Sequence, residues 1–289
     1  MRRVLLLLLL VAIAAAAGVV RSYSKSGHSI SEVPAVLAGE SRSSGDVREE
    51  IRNSYELLAG AKVDVAGING SLKIETSDTT TAVVYIERIG KSAESLKRRK
   101  VTIENSPSSL KIIGGDGDVG ILARIFGSNP TEQVTLKLPR QLSLIASGIN
   151  GSVITGQIDG SVTVQGVNGK VDIAQVGAAA DFHGINGNIA VSLNSLEQER
   201  ISINGINGNI DLRLREGTGA DLKAHGMNGN VLSDLPDFVL EKAKHGNYVA
   251  HVGTGGNSIS ANGINGNISL SRAATAPKVT ATDQARNKS

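Results

Sequence analysis

The sequence predicts an all-β fold, a solenoid of stacked coils with about 18–21 residues per coil. Three observations lead to this prediction. A Gly-x-Asn-Gly tetrapeptide recurs along the chain, alternating apolar and polar residues follow its copies, and the same residue types return at the same offset. A solenoid explains all three, because each repeat buries its apolar face only against its neighbours.

The tetrapeptide occurs seven times, with Ile, Val or Met at its second position. Its asparagines are Asn69, Asn150, Asn168, Asn186, Asn207, Asn228 and Asn265, and its final glycines are Gly70, Gly151, Gly169, Gly187, Gly208, Gly229 and Gly266. Ile158-Asp159-Gly160 is a degenerate copy. From Gly151 onwards, and counting Gly160, the final glycines are 9, 9, 18, 21, 21 and 37 residues apart, near multiples of one half-repeat.

Short half-buried strands are predicted after each Asn-Gly. The segment Asn209-Ile210-Asp211-Leu212 is typical, since its apolar residues alternate with polar ones. Asn and Gly adopt positive φ most readily, so the Asn-Gly pair predicts a corner, with positive φ at a final glycine such as Gly208. The residue before Asn, such as Ile206, is expected to face the core.

The asparagines predict a ladder of amide hydrogen bonds inside the stack. Parallel coils place equivalent residues about 4.8 Å apart, a spacing at which Asn side chains can pair along the stack. Asn207 is expected to bond to Asn186 and Asn228, the asparagines of the preceding and following copies. Its replacement by Ala would then cost about 1–3 kcal/mol.

An antiparallel meander is the alternative architecture, because Asn-Gly between alternating segments is also a hairpin signal. A meander, however, gives Ile185, Ile206 and Ile264 no reason to recur in one column. The solenoid is assigned to residues 55–271, with a less regular part at 55–140 and regular coils at 141–271.

The N-terminus has the pattern of an export signal. Met1-Arg2-Arg3 is a basic region, residues 4–20 are uncharged and mostly apolar, and Ala15-Ala16-Ala17 supplies a small-residue cleavage site. A signal peptide is therefore assigned to residues 1–17, which places the protein in the periplasm or at the cell surface. An uncleaved anchor is the alternative, since an apolar segment of 17 residues is at the lower limit for spanning a bilayer.

The remaining segments and the charge give less direction. Residues 18–54 are Ser-rich and are expected to be a poorly ordered linker, and residues 272–289 a disordered tail. The net charge of +3 becomes +1 without Arg2 and Arg3, which does not indicate a nucleic-acid surface. The sequence contains no Cys, so it can form no disulfide.

From Tyr55 to Leu270 the chain resembles the bacterial adhesin-type families of exported β-solenoids, including those called head GIN domains. The resemblance rests on the segments Val65–Ile74, Leu136–Pro139 and Gly253–Gly256 together with the Gly-Ile-Asn repeats. It implies a right-handed single-stranded β-helix at the cell envelope. It also implies a scaffold, because these families bring no set of catalytic residues.

No catalytic, cofactor-binding or metal-binding site is predicted. His183 and His225 precede their motifs, but in-order coils would place them about 9.6 Å apart, too far to share one zinc ion. Asp172 and Asp211 carry the best argument for an enzyme. With the coil of Ala190 between them they would also lie about 9.6 Å apart, at the edge of the range for an inverting glycosidase. Only seven aromatic residues and no Trp argue against sugar-directed catalysis.

The predicted function is therefore that of an exported, non-enzymatic scaffold, adhesin-like or interacting with the envelope. Its expected partner is an envelope protein or a surface glycan, with no nucleic acid, no cofactor, and a membrane only if the N-terminal segment stays uncleaved. An accessory role in envelope stress signalling is the alternative. A polysaccharide-acting β-helix enzyme is the third hypothesis.

Overall fold

The structure is a computed structural model that describes residues 46–117, 129–193, 200–242 and 246–273. The predicted signal peptide at 1–17, residues 18–45 of the predicted linker and residues 274–289 of the predicted tail lie outside the described residues. Among the residues that are described, no helix is long and apolar enough to cross a membrane.

The described chain is all-β, as the sequence predicts, and has one short helix, α1, at Ala93–Lys97. Alternating apolar and polar residues favour these strands. In β15, for example, Ile210, Leu212 and Leu214 are buried, while Asp211 and Arg213 are half-exposed. The strands are β1 Val47–Glu56, β2 Ala61–Ala66, β3 Gly70–Ser77, β4 Thr81–Gly90, β5 Arg99–Ser106, β6 Ser109–Asp116, β7 Thr131–Pro139, β8 Leu142–Ser147, β9 Val153–Ile158, β10 Val162–Gln165, β11 Val171–Val176, β12 Ala180–Asn186, β13 Ile189–Leu193, β14 Arg200–Asn207, β15 Ile210–Leu214, β16 Ala220–His225, β17 Val231–Ser233, β18 Phe238–Lys242, β19 Tyr248–Val252, β20 Asn257–Asn265 and β21 Ile268–Arg272.

The strands form two large mixed sheets. Sheet A has ten strands in the order β1-β4-β7-β3-β9-β11-β13-β15-β21-β17, and sheet B has eleven in the order β18-β19-β16-β20-β14-β12-β10-β8-β2-β6-β5. From β8 to β17 consecutive strands alternate between the two sheets. Buried residues of both sheets belong to one hydrophobic core, in which Phe182 is among the largest fully buried side chains.

The repeat strands pair in parallel. β12 pairs with β14 so that Ile185 is opposite Ile206 and Asn186 opposite Asn207, and β14 pairs with β20 so that Ile206 is opposite Ile264. Sheet A shows the same direction from β9 through β11, β13 and β15 to β21. The antiparallel meander is therefore wrong for the repeat strands.

The last repeats are not stacked in chain order. β20 lies between β14 and β16 in sheet B, and β21 lies between β15 and β17 in sheet A. The physical reason is that the other edge of β16 is occupied by β19, which pairs with it antiparallel and forms a hairpin with β18. The strands of the last motif therefore insert one position earlier than an in-order stack would place them.

Antiparallel strands also lie at the N-terminal end of the stack. β1 pairs with β4, and β4 with β7, in sheet A, while β5 pairs with β6 in sheet B. β1 begins at Val47, so the boundary expected at residue 54 lies inside a strand. Only Ile51 and Tyr55 of β1 pack against the core, because β1 is an edge strand, and its apolar alternation is correspondingly weak.

Candidate functional site

The seven motif asparagines form one continuous ladder of amide hydrogen bonds. In each step an Nδ2 donates to the neighbouring Oδ1 at 2.8–3.2 Å. The order along the ladder is Asn69, Asn150, Asn168, Asn186, Asn207, Asn265 and Asn228. Asn207 therefore bonds to Asn186 and Asn265, and the expected bond to Asn228 is wrong because β20 is inserted.

The ladder lies on the outside of the molecule, so the expectation of an internal ladder is also wrong. Asn207 is exposed, whereas Ile206 immediately before it is buried. The cause is the twofold alternation of an extended chain, which sends adjacent side chains to opposite faces. With the Ile column facing the core, the Asn column has to face solvent.

The two glycines of each motif have different reasons to be glycine. The first, as in Gly205, has φ between 61° and 67° in all seven copies. Gly208, the final glycine expected at positive φ, does not have it, and the corner assignment is wrong there. Gly208 instead lacks space, because a Cβ at this position would lie 2.2 Å from the backbone oxygen of Gly187. Equivalent contacts of 2.0–2.4 Å exist at all seven final glycines.

A second asparagine row, two residues further on, is not among the sequence predictions. The backbone N–H of Asn209 donates to Asn188 Oδ1 at 2.9 Å, and that of Asn267 donates to Asn209 Oδ1 at 3.0 Å. Asn230 continues the row by donating its N–H to Asn267 Oδ1 at 2.9 Å. The signal for it in the sequence is the extension of four motif copies to Gly-x-Asn-Gly-Asn.

The backbone of Asn69, the first residue of the ladder, is held by a buried ion pair. Asn69 donates its backbone N–H to Glu132 Oε2 at 3.0 Å and its Nδ2 to the Pro130 carbonyl at 2.8 Å. Glu132 is fully buried and lies 3.2 Å from Arg99 Nε. Because these residues are 33 positions apart in sequence, no local pattern predicts the pair.

The outer side of sheet B carries two rows of small polar side chains, which we call the polar face. One row across β16, β20, β14, β12 and β10 is Lys223, Ser260, Ser202, Asp181 and Thr163, and the other is His225, Asn262, Asn204, His183 and Gln165. Asn262 donates to Asn204 at 3.0 Å, and Asn204 donates to Ser202 at 2.8 Å. Neighbouring groups are about 4.8 Å apart across the strands, so the face is a regular polar array with one cation and one carboxylate.

Asp221 and His251 form a polar contact between β16 and β19, beside the polar face. His251 Nδ1 lies 2.7 Å from Asp221 Oδ1, and the Gly256 N–H donates to Asp221 Oδ2 at 3.1 Å. The hydrogen bond with His251, and then that from Gly256, lowers the pKa of Asp221 below its usual value. The contact favours a charged Asp221 and links the hairpin to the stack.

Asp172 and Asp211 lie on the outer side of sheet A, each directly beside Ala190. Lys170 Nζ lies 2.7 Å from Asp172, and Arg213 Nε lies 2.8 Å from Asp211. Arg213 Nη1 also lies 3.9 Å from Asp172. The two carboxylates are therefore held by local cations on one open sheet face and do not oppose each other across a cleft.

His183 and His225 are further apart than expected. The strand order β12-β14-β20-β16 separates them by three strand spacings, about 14 Å, because β20 is inserted between β14 and β16. The described part of the chain contains no group of three His, Cys, Asp or Glu residues that could hold a metal ion.

Comparison with known proteins gives only distant structural similarities. No family model and no curated protein matches the sequence. A "putative cell adhesion protein" from Clostridium sporogenes is 16% identical, with a TM-score of 0.40 over 78% of this chain and 99% of that one. A "putative adhesin" from Parabacteroides distasonis is 10% identical, with a TM-score of 0.32 over 77% and 97% of the two chains. A "putative lipid binding protein" from the same species is 12% identical, with a TM-score of 0.27 over 77% of this chain and 94% of that one.

Proposed function

We propose that the protein is an exported, non-enzymatic, adhesin-like scaffold that contacts an envelope protein or a surface glycan through the polar face. The observation that carries this proposal is the regular array of hydroxyl and amide groups on the outer side of sheet B. Such groups are hydrogen-bond donors and acceptors at fixed spacing, which suits recognition of a polar surface.

We further propose that the scaffold is a right-handed single-stranded β-solenoid. Three features support this proposal: alternation of consecutive strands between two sheets, parallel pairing of equivalent strands, and reuse of one Ile column and one Asn column. Each coil then covers its neighbour's backbone. Antiparallel strands cover the N-terminal end of both sheets and the C-terminal end of sheet B. The proposed domain runs from β1 to β21.

The lack of an enzyme function is supported by the surroundings of Asp172 and Asp211. A glycosidase needs one of two carboxyl groups to be protonated and the other free to act on water or on the sugar. Here both carboxylates are engaged by Lys170 and Arg213 on an open surface. An ion-paired carboxylate on an exposed face is typical of a solvated surface network.

Export is proposed on the basic and apolar regions at the N-terminus. N-terminal sequencing of the protein from the envelope fraction should give a start near Gly18. Recovery of an intact Met1 in the membrane would contradict cleavage and support an anchor.

Sedimentation of the exported protein with isolated envelopes tests the polar face. The double variant His183→Glu/Gln165→Glu adds two charges to neighbouring exposed positions of that face. Because charges in a contact must be desolvated without a partner, we expect at least about tenfold weaker binding.

The matched control is Ala174→Glu/Ser192→Glu, which adds the same charges to the outer side of sheet A. Equal binding losses in the two double variants would contradict the polar face as the contact surface. If neither the variants nor the wild-type protein sediments with the envelopes, the scaffold function itself is contradicted.

A further inference from the structure

The outer side of sheet A carries a groove at its N-terminal end, on strands β1, β4 and β7, far along the sheet order from the Asp172 and Asp211 surface. Its volume is about 550 Å³, within the range of small-molecule sites. Six outward side chains line it: Arg52, Ser54, Val83, Tyr85, Thr135 and Lys137. Nothing in the motif pattern points to this groove.

The strand register arranges the lining in two rows. Arg52, Tyr85 and Thr135 are opposite one another in the first row, and Ser54, Val83 and Lys137 in the second. The central strand β4 therefore supplies an apolar floor, while each flanking strand supplies one hydroxyl and one cation. The two cations stand at diagonal corners of the groove, and so do the two hydroxyls.

The two cations differ in how they are held. The Cζ of Arg52 lies 4.7 Å from the centroid of the Tyr85 ring, and its Nη2 donates to Glu50 at 3.0 Å. These contacts fix the guanidinium as one wall of the groove, although its side chain is 71% exposed.

Lys137 is available to a ligand. Glu75, its neighbour across the β3–β7 pairing, is ion-paired at 2.8 Å with Lys73. Within the described ranges, the Lys137 ammonium makes no hydrogen bond or ion pair. Lys73 does most to lower the pKa of Glu75, and the Lys137 charge adds only a smaller effect. The groove lining contains two cations and no carboxylate. Because Arg52 is paired with Glu50 just outside the lining, Lys137 is the charge that favours an anionic ligand.

We propose that this groove binds a carboxylate-bearing sugar unit of an acidic polysaccharide. The C–H face of a pyranose packs on the floor of Val83 and Tyr85, its hydroxyls bond to Ser54 and Thr135, and its carboxylate meets Lys137. Val83 is 36% exposed, so the floor is accessible to such a ring. The open form of the groove leaves space for the adjoining units of a chain.

The test is calorimetric titration of the exported protein with a trimer of galacturonic acid and with the neutral galactose trimer of the same linkage. We expect measurable binding of the acidic trimer, at least about tenfold weaker binding of the neutral one, and weakening by salt. Equal affinity for the two trimers, or no binding of the acidic one, would overturn the proposal.

Two variants locate the binding. Lys137→Gln removes the charge but keeps a polar, unbranched side chain, and it should weaken binding of the acidic trimer about tenfold, because one charged hydrogen bond is lost. Val83→Glu puts a carboxylate on the exposed floor and should abolish binding. The control Lys62→Gln removes one exposed lysine from β2 of sheet B, outside the polar face, and should leave the affinity unchanged.

The result is separable from that for the polar face, because His183→Glu/Gln165→Glu alters the opposite sheet and should leave trimer binding unchanged. If Lys137→Gln and Lys62→Gln weaken binding equally, the attraction is general surface charge and the groove proposal is wrong. If Val83→Glu binds as wild type does, the floor is not the contact surface and the proposal is again wrong.

Discussion

Gly208 shows that a repeated residue type can be required for a reason other than backbone conformation. The position lies against the Gly187 backbone, and a methyl group there would be 2.2 Å from a carbonyl oxygen. Gly187 and Gly208 each lie at a bend between two paired strands, so their backbones cannot move apart without disturbing the hydrogen bonds of those strands.

We therefore expect Gly208→Ala to destabilise the protein by about 1–3 kcal/mol. Gly115→Ala is the control, because its Cβ would meet nothing within 4 Å and its φ is not positive. Urea denaturation of both variants measures the difference. Similar midpoints for the two variants would show that the backbones of Gly187 and Gly208 can move apart.

Asn207, by contrast, recurs in a continuous ladder whose hydrogen bonds contribute little to stability. Its amide donates to Asn186 at 3.0 Å and accepts from Asn265 at 2.8 Å, but all three side chains are exposed. Water can replace either bond when the partner is lost, so the cost of a buried unpaired amide does not apply.

We therefore expect Asn207→Ala to cost less than about 1 kcal/mol, below the range that an internal ladder would require. Asn262→Ala should behave similarly, since Asn262 is also exposed and donates to Asn204 at 3.0 Å. A denaturation midpoint lowered by the equivalent of about 2 kcal/mol or more at Asn207 alone would contradict this account.

At the scale of elements, β16 is the strand on which the C-terminal part of sheet B depends. It pairs in parallel with β20 on one edge and antiparallel with β19 on the other. Asp221 of β16 contacts His251 of β19. A contact between a carboxylate and an imidazole therefore links the parallel strands to the hairpin.

This contact predicts a stability that depends on pH. The folded-state pKa of Asp221 is lowered, first by the His251 hydrogen bond, so its contribution is present above the unfolded-state pKa of about 3.9. It is lost as the pH falls through the lower folded-state pKa. Near pH 5 the wild-type protein should therefore have a higher melting temperature than Asp221→Asn. This difference in melting temperature should shrink toward acid pH.

The double-mutant control is the same substitution in a His251→Gln background, where the difference near pH 5 should be smaller. If the difference in melting temperature between wild type and Asp221→Asn stays constant as the pH is lowered, the role of the carboxylate charge is contradicted.

Other elements differ in how far the sequence predicts them. The strands after each Asn-Gly are predictable because their alternation is strong, as in Ile210 and Leu212 of β15. β1 is not, because an edge strand needs little apolar surface and Val47–Glu56 carries mostly polar residues. The hairpin β18–β19 is missed for a different reason: its pairing with β16 depends on which sheet edge is free.

At the scale of the whole molecule, the order of the strands in sheet B can be tested by cross-linking. Ser202 and Ser260 are directly opposite on β14 and β20, while Lys223 of β16 is opposite Ser260 from the other side. The chain has no Cys, so no native thiol competes with a pair of introduced cysteines.

We expect Ser202→Cys/Ser260→Cys to form a disulfide on mild oxidation. Ser202→Cys/Lys223→Cys should remain reduced, because two strand spacings of about 9.6 Å exceed the reach of a disulfide. Thiol counting by mass spectrometry distinguishes the two results. An in-order stack would give the reverse pattern, with residues 202 and 223 linked.

The sequence by itself determined the all-β class, the parallel recurrence of the repeats and the pairing of motif asparagines, because alternation and columns of identical residues are properties of each short segment. Only the tertiary structure decided the insertion of β20–β21, the outward position of Asn207 and the buried Glu132–Arg99 pair. The groove between Arg52 and Lys137 belongs to the same group. Each depends on which distant strands share an edge, and strands compete for an edge through backbone hydrogen bonds that every residue except Pro can make.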